Sequence, residues 1–379
     1  MQASQSRVGT PTGVRTWGDP VMLISAVLLL GAGLLSIYSI DHARQIGIFK
    51  KQVVLMILGL APFFVFWRTS LSLWQKHSGK IYLINIALLV LVFLAPKTTK
   101  GAGRWVDIGP MQFQPSEFSK LAVILAVAAF YAENRHRVKE FRTFATSFLY
   151  LLPTVLLIFK QPHLGATISV LAIWFMISLV AGVPWRTIAT VVLIGIIGIV
   201  GILKFKPELV LKDYQIKRVQ TMKDKSRGVR DVGGSDYQVH EAQKAFANGG
   251  VTGSGFLKGE QTRLGFIPEQ HNDFVFTVVG EEGGLVGAGL VLSIFGVFFF
   301  RVARAIVQAT DVYSRLVATG ILTILGFHTL VNLGMNIGIL PVVGLWLPFL
   351  SAGGTAVLLC MGLVGLAMAV SRENERVSF

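Results

Sequence analysis

The chain has a single cysteine among 379 residues, Cys360, and it sits in an apolar run; no intrachain disulfide can form and no thiolate-ligated metal site is suggested. Seven histidines are present, yet none shows HExxH or similar ligand spacing, and there is no GxxxxGK[ST] phosphate loop. Neither a zinc hydrolase nor a nucleotide-driven pump is therefore supported. Acidic residues are scarce: 20 Asp and Glu stand against 35 Lys and Arg, a net charge of +15. In a soluble chain that excess would suggest nucleic acid, but no nucleic-acid motif accompanies it. Cytoplasmic loops and anionic lipid headgroups account for it more simply. What is plentiful is apolar sequence, at 53% hydrophobic residues and a mean hydropathy of +0.63. Apolar runs of about 18 or more residues mark membrane spans rather than a soluble core. The chain reads as an all-α polytopic membrane protein.

Ten spans are expected: Val21 to Ile40, Val53 to Trp67, Ile81 to Ala95, Pro115 to Tyr131, Phe144 to Phe159, Gly165 to Val183, Thr187 to Phe205, Asp273 to Phe300, Leu316 to Ile337 and Gly353 to Val370. The first is too long for a signal-peptide core and lacks a clear small-residue cleavage site. With the amino terminus inside, the cytoplasmic short loops hold fifteen Lys and Arg; the outer ones hold seven, namely Arg44, Lys50, Lys51, Lys97, Lys100, Arg104 and Lys160. That bias places residues 1–20 and the tail 371–379 in the cytoplasm. Trp17, Trp67, Trp74, Trp105, Trp185 and Trp346 fall near span ends, as an aromatic belt requires.

On that topology residues 206–272 form one long extracytoplasmic loop between the seventh and eighth spans. Within it Ser235 and Gln238 suit a capping box, Val239, Ala242 and Phe246 recur at helical spacing, and Asn248-Gly249-Gly250 is a stop signal. An amphipathic helix is expected there, packed over the bundle. The segment VTGSGFLKGEQTRLG after it is glycine-rich, which permits close backbone approach to a ligand and equally suits a flexible loop.

The stretch RLGFIPEQHNDFVFTVVGEEGG, residues 263–284, turns from polar loop into membrane helix while carrying Asp273, Glu281 and Glu282. An unpaired carboxylate in lipid costs at least ~2.5 kcal/mol at the bilayer centre, so such residues face a protein interior or a watery cavity. Asp273 suits a helix cap or a functional carboxylate. Glu281, read as ~12 Å deeper on the same helix, is beyond any capping role.

A second outer loop, KTTKGAGRWVDIGPMQFQPSEFSK, brings Lys97, Lys100 and Arg104 to the outer face before Pro115 opens a helix with Glu117 in its first turn and Lys120 three residues on. Glu117 and Lys120 form either an ordinary pair or part of a cavity shared with Asp273. His328, Asn332 and Asn336, spaced four apart, read as helix-to-helix hydrogen-bonding groups. Ser351 to Thr355 open the last span.

Taken together, FIPEQHNDFVF, KGAGRW, QFQPSE and GILPVVGLWLPFLSAGG resemble the SEDS family, which includes the RodA, FtsW and SpoVE proteins, and the resemblance runs from the first span to the tenth. It implies one ten-helix membrane domain over 1–379 that polymerises lipid II into a growing glycan strand outside the cytoplasmic membrane, beside a class B penicillin-binding protein that cross-links it. The family's essential aspartate falls on Asp273, and its membrane glutamate and lysine on Glu117 and Lys120; Glu281 is expected to support the same cavity. His163 stands where many members have aspartate, Asn272 where they have serine or threonine, and Ala352 where they have tyrosine. The PVVG segment, Pro341 to Gly344, is closer to the RodA pattern and leans towards elongation.

Sugar transfer from a lipid pyrophosphate needs a base for the acceptor hydroxyl, here Asp273, and positive charge for the leaving group. Lys97, Lys100, Arg104, Lys120, Arg218 and Arg263 are the pool for the latter. A divalent cation is chemically plausible there, although no ligand set is visible. The rival readings are a flippase using membrane carboxylates as a polar path and a non-catalytic scaffold for wall enzymes.

Overall fold

The structure, a computed structural model, describes residues 17–94, 105–108, 111–161, 163–205 and 235–377. Ten long helices overlap the ten expected spans: α1 Pro20–Arg44, α2 Ile48–Arg68, α3 Leu71–Leu94, α4 Pro115–Glu133, α5 Phe141–Lys160, α6 Leu164–Ala181, α7 Trp185–Phe205, α10 Phe276–Gln308, α11 Val312–Asn336 and α12 Gly354–Val377. Two shorter ones, α8 Ser235–Gly249 and α9 Glu260–Leu264, lie between α7 and α10. Among the described residues, eight helices are long and apolar enough to cross a membrane, and α7 adds the apolar stretch Trp185–Gly195. One feature was not expected: β1 Val106–Ile108 and β2 Met111–Phe113 form an antiparallel hairpin in the loop before α4.

The helices are layered by how much lipid they meet. In the apolar window of α4, 83% of residues are buried, and in that of α12, 78%, against 22% for α2, so α4 and α12 are the inner posts. α2 closes on α12 where glycines remove side chains: Gly365 lies against the Phe63 backbone and Gly362 against Phe66. Small residues allow this approach where helix association gains little from the hydrophobic effect. Polar bonds fix the end of the bundle where α1 begins and α12 ends. Asp19 caps α1 through the amides of Val21 and Met22 and pairs with Arg301 at 2.5 Å. Arg372 donates to the Trp67 carbonyl, and Glu373 accepts from the Leu71 amide at 2.9 Å.

At the other end, the loop face, α8 packs over the bundle as expected. Val239 and Ala242 are buried with Ile267 and Phe274, Phe246 lies 6.1 Å from Phe276 between ring centroids, and Gln243 donates to the Ile337 carbonyl. The glycine-rich stretch after α8 does make a close backbone approach, but to α10. That helix breaks at Gly284, whose φ of 63° and ψ of −163° lie outside the helical region. The break separates Glu281 O from Leu285 N and Glu282 O from Val286 N, pairs an unbroken helix would join. All four groups bond the stretch instead: Ser254 N to Glu281 O at 2.9 Å, Gly255 N to Glu282 O at 3.1 Å, Leu285 N to Gly250 O at 3.0 Å and Val286 N to Val251 O at 3.1 Å. A broken span is tolerated where its freed backbone groups find partners inside the protein. Gly253, at φ +83°, sits so close to the Glu282 carbonyl that any Cβ would overlap it.

Candidate active site

Asp273 does not sit on the helix. α10 begins at Phe276 with Val275 as N-cap and no side-chain capping bond, so the cap reading of Asp273 is set aside. The cause is local. A helix begun at Asp273 would use its carbonyl to accept the Thr277 amide. That carbonyl is already taken by the side-chain amides of Asn332, at 2.8 Å, and Asn336, at 3.0 Å, and Thr277 N turns to Phe274 O. Asp273 is thus held in a turn, half-buried, at the mouth of the bundle.

Three further bonds shape this turn. Ser351 donates to the Asn272 carbonyl at 2.5 Å, the Ala352 amide donates to His271 O at 2.8 Å, and Leu347 N donates to Ser351 Oγ at 2.7 Å. The α11–α12 connection therefore folds against the Asp273 turn. Gly344, at φ +70°, lies in that connection, and a Cβ there would stand 3.5 Å from the Asp273 carboxylate oxygen Oδ2.

Two residues along the same connection is Trp346, whose indole N–H donates to Glu117 Oε2 at 2.9 Å. Glu117 Oε1 pairs with Lys120 Nζ at 2.6 Å, with side chains 3% and 0% exposed, and the ammonium lies 5.4 Å from the Trp346 ring centroid. The pair points into the bundle, joined to Asp273 through residues 344–346. His328 lies against Trp346 at 4.5 Å between ring centroids, the rings tilted by 56°. The hairpin is tied in as well: Gln114 N donates to Thr355 Oγ1, which donates to Gln112 O. His163 meets the Gln114 amide at 3.1 Å and the Ser116 hydroxyl at 3.3 Å, so the position where many SEDS members have aspartate borders the start of α4.

Glu281, expected in this cavity, is directed elsewhere. Its carboxylate accepts from Gln261 N at 2.7 Å, Thr262 N at 3.3 Å and Thr262 Oγ1 at 3.0 Å, anchoring α9 to α10. The helical count from Asp273 to Glu281 fails because the chain is not helical between 273 and 275. Glu282 accepts from Ser39 of α1 at 2.5 Å. Arg263 is exposed at the end of α9; Lys97, Lys100, Arg104 and Arg218 lie outside the described residues. Among the described residues no three His, Cys, Asp or Glu side chains gather as metal ligands, so the cation expectation names no residue here. A cavity of about 640 Å³ between α3, α4 and α5 includes Glu133, at the opposite end of α4 from Glu117, and belongs to another part of the molecule.

Sequence reasoning missed three participants. Asn332 and Asn336 were expected to join helices, but they bond loop carbonyls; their regular spacing signalled a polar face without signalling its partner. Trp346 was expected in an aromatic belt, yet it bonds Glu117 inside the bundle.

A helical membrane protein with a buried ion pair and a turn-held aspartate at one end of its bundle is the class this geometry defines. Residues 20–376 match the model of the cell cycle protein family of FtsW, RodA and SpoVE. Over 360 residues the chain is 34% identical to the peptidoglycan glycosyltransferase MrdB of Escherichia coli K12, covering 95% of each. It is 31% identical over 374 residues to the stage V sporulation protein E of Bacillus subtilis, covering 96% of this chain and all of that one. Among solved structures, the rod shape determining protein RodA of Thermus thermophilus superposes with a TM-score of 0.68 at 26% identity, over 94% of this chain and 97% of that one. A chain from a structure described as the coordination of polymerization and crosslinking by a peptidoglycan synthase complex superposes with a TM-score of 0.80 at 28% identity, over 94% and 98%. The chain belongs to the FtsW, RodA and SpoVE family, the SEDS proteins.

Proposed function

We propose that this peptidoglycan glycosyltransferase polymerises lipid II at the outer face of the bacterial cytoplasmic membrane, with Asp273 as general base. The acceptor sugar's hydroxyl gives its proton to the Asp273 carboxylate as its oxygen bonds the donor's anomeric carbon. The bond from that carbon to the pyrophosphate oxygen breaks, and the lipid pyrophosphate leaves with the electron pair. One displacement inverts the centre, so an α-linked donor gives a β-linked strand. The carrying observation is the placement of a half-buried carboxylate at the loop face beside Gly344, its backbone gripped by Asn332 and Asn336.

Glu117 and Lys120 line the same region and tune its field. Basic residues of the outer loops, among them Lys97, Lys100, Arg104, Arg218 and Arg263, are the candidates for holding the pyrophosphate. Both termini are cytoplasmic, as the loop charges require. The role is in elongation, supported by the likeness to RodA, and the partner is a cross-linking class B penicillin-binding protein, supported by the likeness to a synthase complex that couples polymerization to crosslinking.

Asp273→Asn tests the assignment. It keeps size and removes the proton acceptor, so polymer formation from lipid II in detergent falls by ~10²–10⁴-fold, about 3–5 kcal/mol of transition-state stabilisation. A folded variant with activity within about threefold of wild type removes Asp273 from the chemistry.

A further inference from the structure

We infer that Asn332 and Asn336 are positioning residues for the reaction, two buried amides of α11 that set where the Asp273 carboxylate stands. The inference rests on the reading of Asp273 as general base.

Three observations carry it. Both asparagines are fully buried, and both donate to one acceptor, the Asp273 carbonyl. Asn332 Nδ2 also donates to Leu345 O at 2.7 Å. One amide therefore grips both the backbone of Asp273 and the residue after Gly344, which walls the carboxylate. This triangle fixes the Asp273 backbone, from which the carboxylate projects, relative to the α11–α12 connection, where a contact between helices alone would not.

Asn336 is also poorly used for stability. Its Nδ2 is divided over Asp273 O, Asn332 O and Asn332 Oδ1, while its Oδ1 has no partner among the described residues. Buried polar groups are satisfied as a rule, and an orphan calls for a reason other than packing. Sites where local rules fail are commonly those where function imposes the geometry.

The third observation is what the carbonyl would otherwise do. Released from the asparagines, Asp273 O would be free to accept the Thr277 amide, the i to i+4 partner of a continuous helix, which now bonds Phe274 O at 3.0 Å. α10 then extends backward by a turn and carries the carboxylate away from Gly344. Misplacing a catalytic group by about 1 Å costs on the order of 10²-fold in rate.

The test uses full-length purified Asn336→Leu and Asn332→Leu proteins with lipid II in detergent, and Asp273→Asn in parallel. Asn336→Leu is expected to lower kcat by at least about tenfold, with KM for lipid II within about twofold and the thermal unfolding midpoint not lowered. Asn332→Leu, which frees Leu345 O and leaves Asp273 O to Asn336 alone, lowers kcat further. If Asn336→Leu does not fold, Asn336→Ala is read by the same criteria. Unchanged kcat, or a loss that tracks a fall in unfolding midpoint, overturns the positioning role. An inactive Asp273→Asn beside a fully active Asn336→Leu sinks this inference alone; an active Asp273→Asn sinks the base assignment and this inference with it.

Discussion

Replacing Lys120 by Met removes the ammonium from a pair whose side chains are 0% and 3% exposed. Methionine fills nearly the same volume, so little cavity cost arises, and the loss comes from the charge left behind. Glu117 then keeps one charge-assisted bond, from the Trp346 indole at 2.9 Å, where it had two. Breaking a buried pair from one side costs about 3–5 kcal/mol, whereas replacing both charges by neutral groups of like shape is often close to neutral. Lys120→Met should therefore lose about 3–5 kcal/mol of unfolding free energy, and Glu117→Gln a comparable amount by stranding Lys120. The double variant should lose no more than about 1.5 kcal/mol, because the neutral amide that replaces the Glu117 carboxylate still accepts from Trp346 and no charge is stranded. The measurement is a double-mutant cycle from denaturant unfolding in detergent, which isolates the pairwise contribution. Losses that simply add, or a Lys120→Met loss below about 1 kcal/mol, refute the picture of a desolvated pair stabilised mainly by its partner.

Two other expectations follow from the loop face. Gly253→Ala places a Cβ against the Glu282 carbonyl at a φ that suits glycine, and should destabilise by about 1–3 kcal/mol; hydrogen exchange should quicken at Ser254, Gly255, Leu285 and Val286 while α4 stays protected, and an unchanged exchange pattern contradicts the clasp. His240 is exposed on α8, so a His240→Cys protein should react with a membrane-impermeant maleimide added to intact cells, whereas labelling seen only after permeabilisation inverts the topology.

Much of the architecture was legible because lipid imposes a coarse rule. All ten long helices fall on the expected apolar runs, eight of them apolar enough by length and composition to cross a membrane among the described residues, and α8 follows its 3.6-residue period. The Glu117–Lys120 pair was visible as a three-residue spacing behind a proline that opens a helix. What escaped depends on contacts between distant parts of the chain. Nothing local says that the carbonyl of Asp273 is claimed from 59 and 63 residues away, and that claim is what moves the start of α10 from 273 to 276. Nor does GEEGG announce a break: apolar sequence continues on both sides, and only the docking of Gly249–Gly255 makes the non-helical backbone tolerable. Glu281 bonds α9 rather than the cavity because the helix counted from Asp273 begins only at Phe276.

The broken span also bears on the order in which the molecule can be finished. Residues 250–255 are synthesised before α10, so the partners of Glu281, Glu282, Leu285 and Val286 already exist when that helix emerges. Until they dock, the two pairs can close on each other as in a continuous helix, and docking exchanges those bonds for bonds to the loop. The break at Gly284 is therefore a product of docking, made by a loop that has preceded the helix, and a lesion in either partner is expected to disturb the folding of both.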